Sequence, residues 1–121
     1  MMKKKTLVMG ASVKSGRYSN FAIRKLIEKN IETVAFGLQE GFVDGVKIET
    51  TLKPFTDIHT VTLYLNPKNQ KQFYNAIIQL KPKRVIFNPG TENPEFYSLL
   101  DKAGITYEIA CSLVLLSTNQ Y

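Results

Sequence analysis

The stretch TLVMGASVKSGRYSN, residues 6–20, decides the fold that the sequence predicts. Its first four residues, Thr6 to Met9, form an apolar run that is too short for a helix and is typical of a buried parallel strand. Gly10 ends this run, and Ser19 is a candidate cap for a helix that follows. In residues 22–29 the apolar side chains fall on one face of that helix and the charged side chains on the other. We therefore predict a strand, a turn rich in small residues and an amphipathic helix.

The rest of the chain repeats this alternation of strands and helices. Short β-rich runs predict further strands at residues 33–36, 60–65, 84–87 and 106–109. Two Asn-Pro pairs, Asn66-Pro67 and Asn93-Pro94, each supply a capping residue and a first helical residue, so each predicts a helix start. The core-facing stripes that follow at the i, i+3, i+4, i+7 spacing are Phe73, Ala76, Ile77 and Leu80, then Phe96, Leu99, Leu100 and Ala103, with Gly104 as the stop.

Strands that alternate with helices favour a parallel sheet covered on both faces. We predict a single α/β domain over residues 1–121, with a Rossmann-like doubly wound sheet of about five mainly parallel strands and helices on both faces. Residues 38–59 are expected to be a loop with a short strand or helical turn, and residues 111–116 a strand or a short buried helix. Ligands bind beyond the carboxyl ends of the strands in such sheets, so the turns to consider follow Met9, Phe36, Leu65 and Phe87.

The composition is that of a globular chain with an excess of positive charge. Apolar residues make up 44% of the chain and charged residues 21%, close to the averages for soluble domains. The 16 basic and 10 acidic residues give a net charge of +6, which favours an anionic partner, either a phosphorylated ligand or nucleic acid. Much of the excess lies around the first strand and helix, at Lys3, Lys4, Lys5, Lys14, Arg17, Arg24, Lys25 and Lys29. An ordinary solvated face is the alternative reading of these lysines.

Several classes of function lack their usual residues. Cys111 is the single cysteine, so it forms no intramolecular disulfide and no cluster with metal-ligand spacing. We expect it to be a packing residue. His59, the single histidine, has no Cys or Ser nucleophile beside it in the sequence, and a structural or surface role is expected. The apolar run after Lys3 to Lys5 is too short for a signal peptide or a membrane span, so we expect a cytoplasmic protein without a membrane anchor.

The turn over residues 10–20 is the first candidate binding site. Small residues at its start allow main-chain amides to approach a phosphate, and the helix N-terminus adds free N–H groups and a favourable dipole. Lys14 and Arg17 can supply charge, and the planar guanidinium of Arg17 suits a phosphate. The turn matches neither G-x-G-x-x-G nor the P-loop pattern, so a connection without a ligand is the alternative. The candidate contacts here are Gly10, Ala11, Ser12, Lys14, Arg17, Tyr18, Ser19 and Asn20.

A second candidate site is the segment Asn88-Pro89-Gly90-Thr91-Glu92-Asn93, which follows the strand at 84–87 and so reaches the same edge of the sheet. These are ordinary turn residues, and a purely structural loop is the alternative. Glu92 has no evident carboxylate partner for acid-base catalysis. The end of the second strand, at Phe36, lacks the acidic residue that usually holds the ribose in an NAD site. The candidate contacts in these two segments are Phe36, Asn88, Pro89, Gly90, Glu92 and Asn93.

Taken together, these segments resemble the small stand-alone CoA-binding proteins over nearly the whole chain. The segments that carry the resemblance are Gly10-Ala11-Ser12, Arg17-Tyr18-Ser19-Asn20, residues 88–93, Ala103-Gly104-Ile105 and Cys111 before an apolar tail. Such proteins look like the isolated CoA-binding domain of succinyl-CoA synthetase and acyl-CoA synthetases, with a Rossmann-like fold. The resemblance implies no known catalytic activity. It also implies that the CoA phosphates are held by Gly10, Ser12, Arg17 and Ser19 or Asn20.

One segment departs from the family pattern. Family members usually carry a Val-Asn-Pro-like segment after the second strand, where this sequence has Ala35-Phe36-Gly37-Leu38, and the change bears on how the adenosine or ribose is held. We predict a non-catalytic protein that binds coenzyme A or an acyl-CoA, a small phosphorylated ligand. One alternative is an enzyme or enzyme subunit that uses NAD(P) or another nucleotide cofactor. The other is a weak nucleic-acid-binding module, although a recognised motif and an aromatic array are missing.

Overall fold

A computed structural model describes residues 3–52 and 55–121 of the chain. Within these residues, seven strands form one sheet. The strands are β1 Thr6–Met9, β2 Thr33–Phe36, β3 Gly41–Val43, β4 Val46–Glu49, β5 Thr60–Leu63, β6 Arg84–Phe87 and β7 Thr106–Ile109. The helices are α1 Tyr18–Glu28, α2 Pro67–Gln70, α3 Tyr74–Gln79, α4 Pro94–Ala103 and α5 Ser112–Ser117, and a 3-10 turn, Lys71–Phe73, joins α2 to α3.

The sheet confirms the predicted α/β, Rossmann-like fold. Its strand order is β3-β4-β2-β1-β5-β6-β7, and neighbouring strands are parallel except for the antiparallel pair β3 and β4. From β1 the chain extends the sheet first on the β2 side and later on the β5 side. The order of strands therefore reverses at β1, and the edge beyond its carboxyl end is where ligands bind in such folds.

The strand count differs from the prediction of about five because β3 and β4 lie in the segment that was expected to be mainly a loop. They form a hairpin through Asp44 and Gly45, whose φ angles are 50° and 83°. Two successive residues with positive φ make the tight turn that suits the twist of a hairpin, and an Asp-Gly pair favours it. Residues 53 and 54 of the same segment lie outside the described part of the chain.

The central strand β1 is buried on both faces. Leu7 and Met9 belong to one core and Val8 to the other, because successive side chains of a strand point to opposite sides of the sheet. The helical residues in these cores are Tyr74, Ile77, Phe96 and Leu100 on the first face, and Ile23, Leu26 and Leu116 on the second. Helices α3 and α4 thus cover one face and α1 and α5 the other, as predicted.

The two Asn caps are confirmed. The side chain of Asn66 accepts a hydrogen bond from the N–H of Asn69 at 2.9 Å, and that of Asn93 accepts one from Phe96 at 3.3 Å. Gly104 ends α4 with a left-handed φ of 72°, the conformation that favours glycine at this position.

Three details of the predicted elements are wrong. Ser19 is not the cap of α1, because the helix begins at Tyr18 and Arg17 occupies the cap position. The predicted stripes are partly wrong. The 3-10 turn interrupts the helix after Pro67, so that Tyr74 joins Ile77 as a buried residue, while the half-buried Phe73 and Leu80 still pack against this core; in α4, Ala103 is exposed. The strand predicted to reach Leu65 ends at Leu63. The segment left open at 111–116 is a short helix.

Candidate functional site

A cavity of about 640 Å³ opens at the carboxyl edge of the sheet. The turns after β2, β1, β5 and β6 form its walls, as expected from the reversal of strand order at β1. Its lining consists of residues 10–14 and 17–19 from the turn after β1, residues 36–39 from the turn after β2, residues 64–66 with Asn69, Gln72 and Phe73 from the β5 side, and residues 89–91 from the turn after β6.

The turn after β1 is tied to the end of β2 through its first two amides. The N–H groups of Gly10 and Ala11 both donate to the main-chain oxygen of Phe36, at 2.9 and 2.8 Å. These two donors are therefore engaged within the protein, unlike the expectation that they approach a phosphate. Gly10 has a φ of 93°, and a Cβ there would lie 3.0 Å from the main-chain carbon of Tyr64. Glycine is needed at this position for the path of the turn.

Other main-chain donors of the same turn remain without an acceptor. Within the described residues, the N–H groups of Ser12 and Val13 make no hydrogen bond, and neither do those of Tyr18 and Ser19 at the start of α1. The first N–H groups of a helix lack intrahelical partners and carry the positive end of its dipole. This part of the turn, and not its first two residues, offers donors to an anion.

Ser12 and Asn20 shape the turn. The Asn20 side chain, only 4% exposed, donates from Nδ2 to the main-chain oxygen of Ser12 at 3.0 Å. The N–H of Lys14 donates to the hydroxyl of Ser12 at 3.1 Å. Among the residues that the structure describes, Asn20 is absent from the cavity lining. Asn20 therefore stabilises the turn through its hydrogen bond to Ser12.

The ionisable side chains of the described lining are Lys14, Arg17, Tyr18 and Tyr64. Lys14 and Arg17 are exposed at the mouth, where their charges attract an anion. Burial raises the pKa of the Tyr64 phenol above its ordinary value, so this group is neutral near pH 7. The cavity therefore carries two positive charges at neutral pH.

The turn after β2 contributes apolar surface. Phe36 is buried and packs edge-on against Phe73, with ring centroids 5.0 Å apart. A Cβ at Gly37 would collide with the main-chain oxygen of Ala11. Glycine therefore permits the close approach of the turns after β1 and β2. Leu38, which lines the cavity, is 86% exposed. The lining residues 36–39 at the end of β2 thus include no acidic residue, unlike the end of the second strand in an NAD site.

The loop over residues 88–93 is only partly in the cavity. Of the predicted ligand contacts in this loop, Pro89 and Gly90 line the cavity, whereas Asn88, Glu92 and Asn93 are absent from the described lining. The buried Asn88 side chain donates from Nδ2 to the Thr62 hydroxyl and the Leu63 main-chain oxygen and accepts from the Ser112 N–H. Glu92 accepts from the Gly90 N–H at 2.8 Å. Asn93 donates from Nδ2 to Gln70 Oε1 at 2.9 Å and to the Tyr74 hydroxyl at 2.8 Å. These three side chains bond to the protein itself.

Several lining residues were not predicted. They are Val13, Gly37, Leu38, Gln39, Tyr64, Leu65, Asn66, Asn69, Gln72, Phe73 and Thr91. Most lie in the turns after β2 and β5, and the position of those turns at the carboxyl edge was the available signal. Asn66 had been assigned only as a helix cap.

His59 and Cys111 lie outside the described lining. His59 precedes β5 at the opposite edge of the sheet, where its Nδ1 lies 2.8 Å from the Thr60 hydroxyl. Burial and the charges of Arg84, Lys4 and Lys83 lower the pKa of His59. Cys111 is half-buried before α5.

The structure divides the positive charge near the first strand and helix between two edges of the sheet. Lys14 and Arg17 line the cavity at the carboxyl edge. A second cavity of about 520 Å³ at the amino edge is lined by Lys3, Lys4, Lys5 and Lys29 together with Glu32. Three of these lysines have internal partners, since Lys4 donates to the Tyr121 main-chain oxygen, Lys5 pairs with Glu32 and Lys29 donates to Asn119.

Two further classes of feature bear on the site. Among the described residues, no group of three His, Cys, Asp or Glu side chains is arranged to hold a metal ion. In that same part of the chain, no helix is both long enough and apolar enough to cross a membrane.

The fold and the position of its cavity define a Rossmann-like domain with a cavity at the carboxyl edge of the sheet. Residues 4–117 match the family described as the CoA binding domain. The chain therefore belongs to the CoA-binding domain family, as its resemblance implied. Membership of this family supports association with coenzyme A.

Solved structures agree with this assignment. A crystal structure of a protein described as uncharacterized is 43% identical to this chain, covers 100% of both chains and has a TM-score of 0.95. A hypothetical protein from Pyrococcus horikoshii OT3 is 26% identical, with a TM-score of 0.84 over 93% of this chain and 80% of its own. Cell-free ID.343 from Thermus thermophilus, 20% identical, has a TM-score of 0.86 over 98% of this chain and 91% of its own, which shows the fold alone. No curated protein matches the chain.

Proposed function

We propose that this protein binds coenzyme A or an acyl-CoA without catalysing a reaction on it, and that the turn after β1 holds the phosphates. The observation that carries the proposal is the composition of the cavity wall. Lys14 and the N–H groups of Ser12 and Val13 line the turn before α1, and Arg17 with the N–H groups of Tyr18 and Ser19 lies at the start of this helix. Within the described residues these four N–H groups have no acceptor. Positive charge and free amides at a helix N-terminus favour a phosphate.

The non-catalytic part of the proposal rests on the chemistry of the same wall. Its described ionisable groups are a lysine, an arginine and two tyrosines, one of which, Tyr64, has its pKa raised by burial. General acid-base catalysis near pH 7 is most effective with a group whose pKa lies close to that pH. The pKa of Tyr64 is moved away from this pH, and Lys14 and Arg17 supply positive charge to the wall. The cytoplasmic location stays a prediction.

Two measurements test the proposal. Native mass spectrometry of freshly purified protein should show an adduct with the mass of CoA or an acyl-CoA, and a nucleotide of another mass would contradict the assigned ligand. Incubation with acetyl-CoA should then leave the thioester intact, so that a thiol reagent detects no more thiol than the sum of two controls, protein alone, which contributes Cys111, and acetyl-CoA alone. Release of free CoA in proportion to protein concentration would contradict the non-catalytic role.

A further inference from the structure

Gln70 is a buried polar residue that neither the predicted site nor the cavity lining includes. It is the last residue of α2, and its side chain is 0% exposed. Its Nε2 donates to the main-chain oxygens of Leu65 and Thr91, both at 2.8 Å. Its Oε1 accepts from Nδ2 of Asn93 at 2.9 Å. Both amide protons of Gln70 are thus used by two carbonyl groups.

The two carbonyl groups belong to different walls of the cavity. Leu65 lies in the turn after β5 and Thr91 in the turn after β6, and both line the cavity. One side-chain amide therefore joins two turns that are separate in the sequence. We propose that Gln70 is a positioning residue that fixes the distance between these turns and thereby sets the affinity for CoA. This inference rests on the proposed function.

Only a group with two protons on one atom can serve both carbonyl oxygens. The amide of Gln70 has two such protons, a protonated glutamic acid has one, and a glutamate has none. A methionine in its place keeps the approximate volume and offers no donor. Because a buried carbonyl without a donor is costly, either replacement favours movement of the Leu65 and Thr91 turns toward water or toward other donors.

The same buried network supplies a matched control. The hydroxyl of Tyr74 accepts from Asn93 at 2.8 Å and donates to Glu95 at 3.0 Å, and neither partner is in the described lining of the cavity. Tyr74→Phe removes these bonds and leaves both donors of Gln70 in place. It should lower the free energy of unfolding while the Kd for CoA stays within about twofold of wild type, well under the 1.4 kcal/mol that a tenfold change represents.

The test compares the Kd of CoA for wild type, Gln70→Glu and Gln70→Met by calorimetry, with folding checked by circular dichroism. Gln70→Met should weaken CoA binding by about tenfold, the change that corresponds to 1.4 kcal/mol. Gln70→Glu should lose affinity relative to wild type as the pH rises across the range in which buried carboxyls ionise, about pH 5 to 9. The Kd of Gln70→Glu is divided by the Kd of wild type at each pH, because this ratio cancels the effect of protonation of CoA itself.

Folded variants that bind CoA with the wild-type Kd at every pH would overturn the inference while leaving the proposed function intact. If neither variant folds, the side-chain amide protons of Gln70 in the wild type decide the question by NMR. They should shift and exchange more slowly with saturating CoA, and unchanged shifts and exchange rates would overturn the inference. Absence of CoA binding by the wild type would contradict the proposed function and the inference with it.

Discussion

Replacement of Arg17 by alanine tests whether the turn after β1 binds the phosphates. Arg17 lines the cavity, is exposed, and makes no side-chain hydrogen bond as the cap residue of α1. A hydrogen bond to a charged group contributes about 1.5 to 3 kcal/mol. Because solvent screens an exposed pair, we expect the lower end, about 1.5 kcal/mol, which is slightly more than a tenfold rise in Kd.

The matched control for this variant is Arg24→Ala. Arg24 lies on the same helix and is exposed, but its guanidinium stands over the Phe21 ring and donates to the Ser15 main-chain oxygen at 3.4 Å. It is absent from the described lining of the cavity. Calorimetric titration with CoA should give a weaker Kd for Arg17→Ala and a wild-type Kd for Arg24→Ala.

Two further readings separate a phosphate contact from a structural effect. The free energy of unfolding of Arg17→Ala without ligand should stay within about 0.5 kcal/mol of wild type, as for ordinary surface substitutions. The difference in Kd should shrink in high salt, because the Debye length falls from about 10 Å at 0.1 M to about 3 Å at 1 M. Equal Kd values for wild type and Arg17→Ala at low salt would refute the role of Arg17.

Three other substitutions test the surrounding structure. Gly37→Ala should weaken CoA binding, because the new Cβ collides with the Ala11 main-chain oxygen and forces the first two turns apart; a wild-type Kd in calorimetry would contradict this. Asn88→Ala should lower the free energy of unfolding by about 2 to 4 kcal/mol in urea, since it leaves buried partners unpaired; a loss below 1 kcal/mol would argue against the network. Burial raises the pKa of Tyr64 in the folded state, so its contribution to stability is complete below the unfolded pKa of 10.0 and is lost as the pH rises above it. Measured by urea unfolding between about pH 9 and 11, the free energy of unfolding should fall less with rising pH in Tyr64→Phe than in wild type. The same fall in both proteins would refute this.

The sequence predicted β1, β2, β5, β6 and β7 well because each is a short β-rich run bounded by turn residues. The bounds of β1, β2, β6 and β7 agree with the prediction. The β3–β4 hairpin was missed although β4 has four residues, as β1 has, and alternates apolar and polar side chains, because the turn residues around these strands predicted a loop. The Asp44-Gly45 pair was visible in the sequence, but it was interpreted as loop punctuation.

The sequence indicated the edge of the sheet at which the cavity lies, but it did not indicate which groups of the turns form hydrogen bonds within the protein. The carboxyl edge and the first turn follow from the order of elements, and Lys14, Arg17 and Gly90, predicted as ligand contacts, line the cavity there; their contact with a ligand stays a prediction. Local sequence could not show that the amides of Gly10 and Ala11 bond to Phe36, because that acceptor arrives from a strand some 25 residues later. The buried roles of Asn20 and Asn88 likewise depend on long-range partners.

A thermal-shift titration of the wild-type protein with CoA, 3′-dephospho-CoA and NAD tests whether the cavity prefers CoA to other nucleotides. A ligand that binds only the folded state stabilises it by about 2.7 kcal/mol at a hundredfold excess over Kd. A wall with Lys14 and Arg17, and without an acidic residue at positions 36–39, favours the ligand with the most phosphate charge. We predict that CoA raises the melting temperature most, 3′-dephospho-CoA less, and NAD almost not at all. A larger shift with NAD than with CoA would contradict the account.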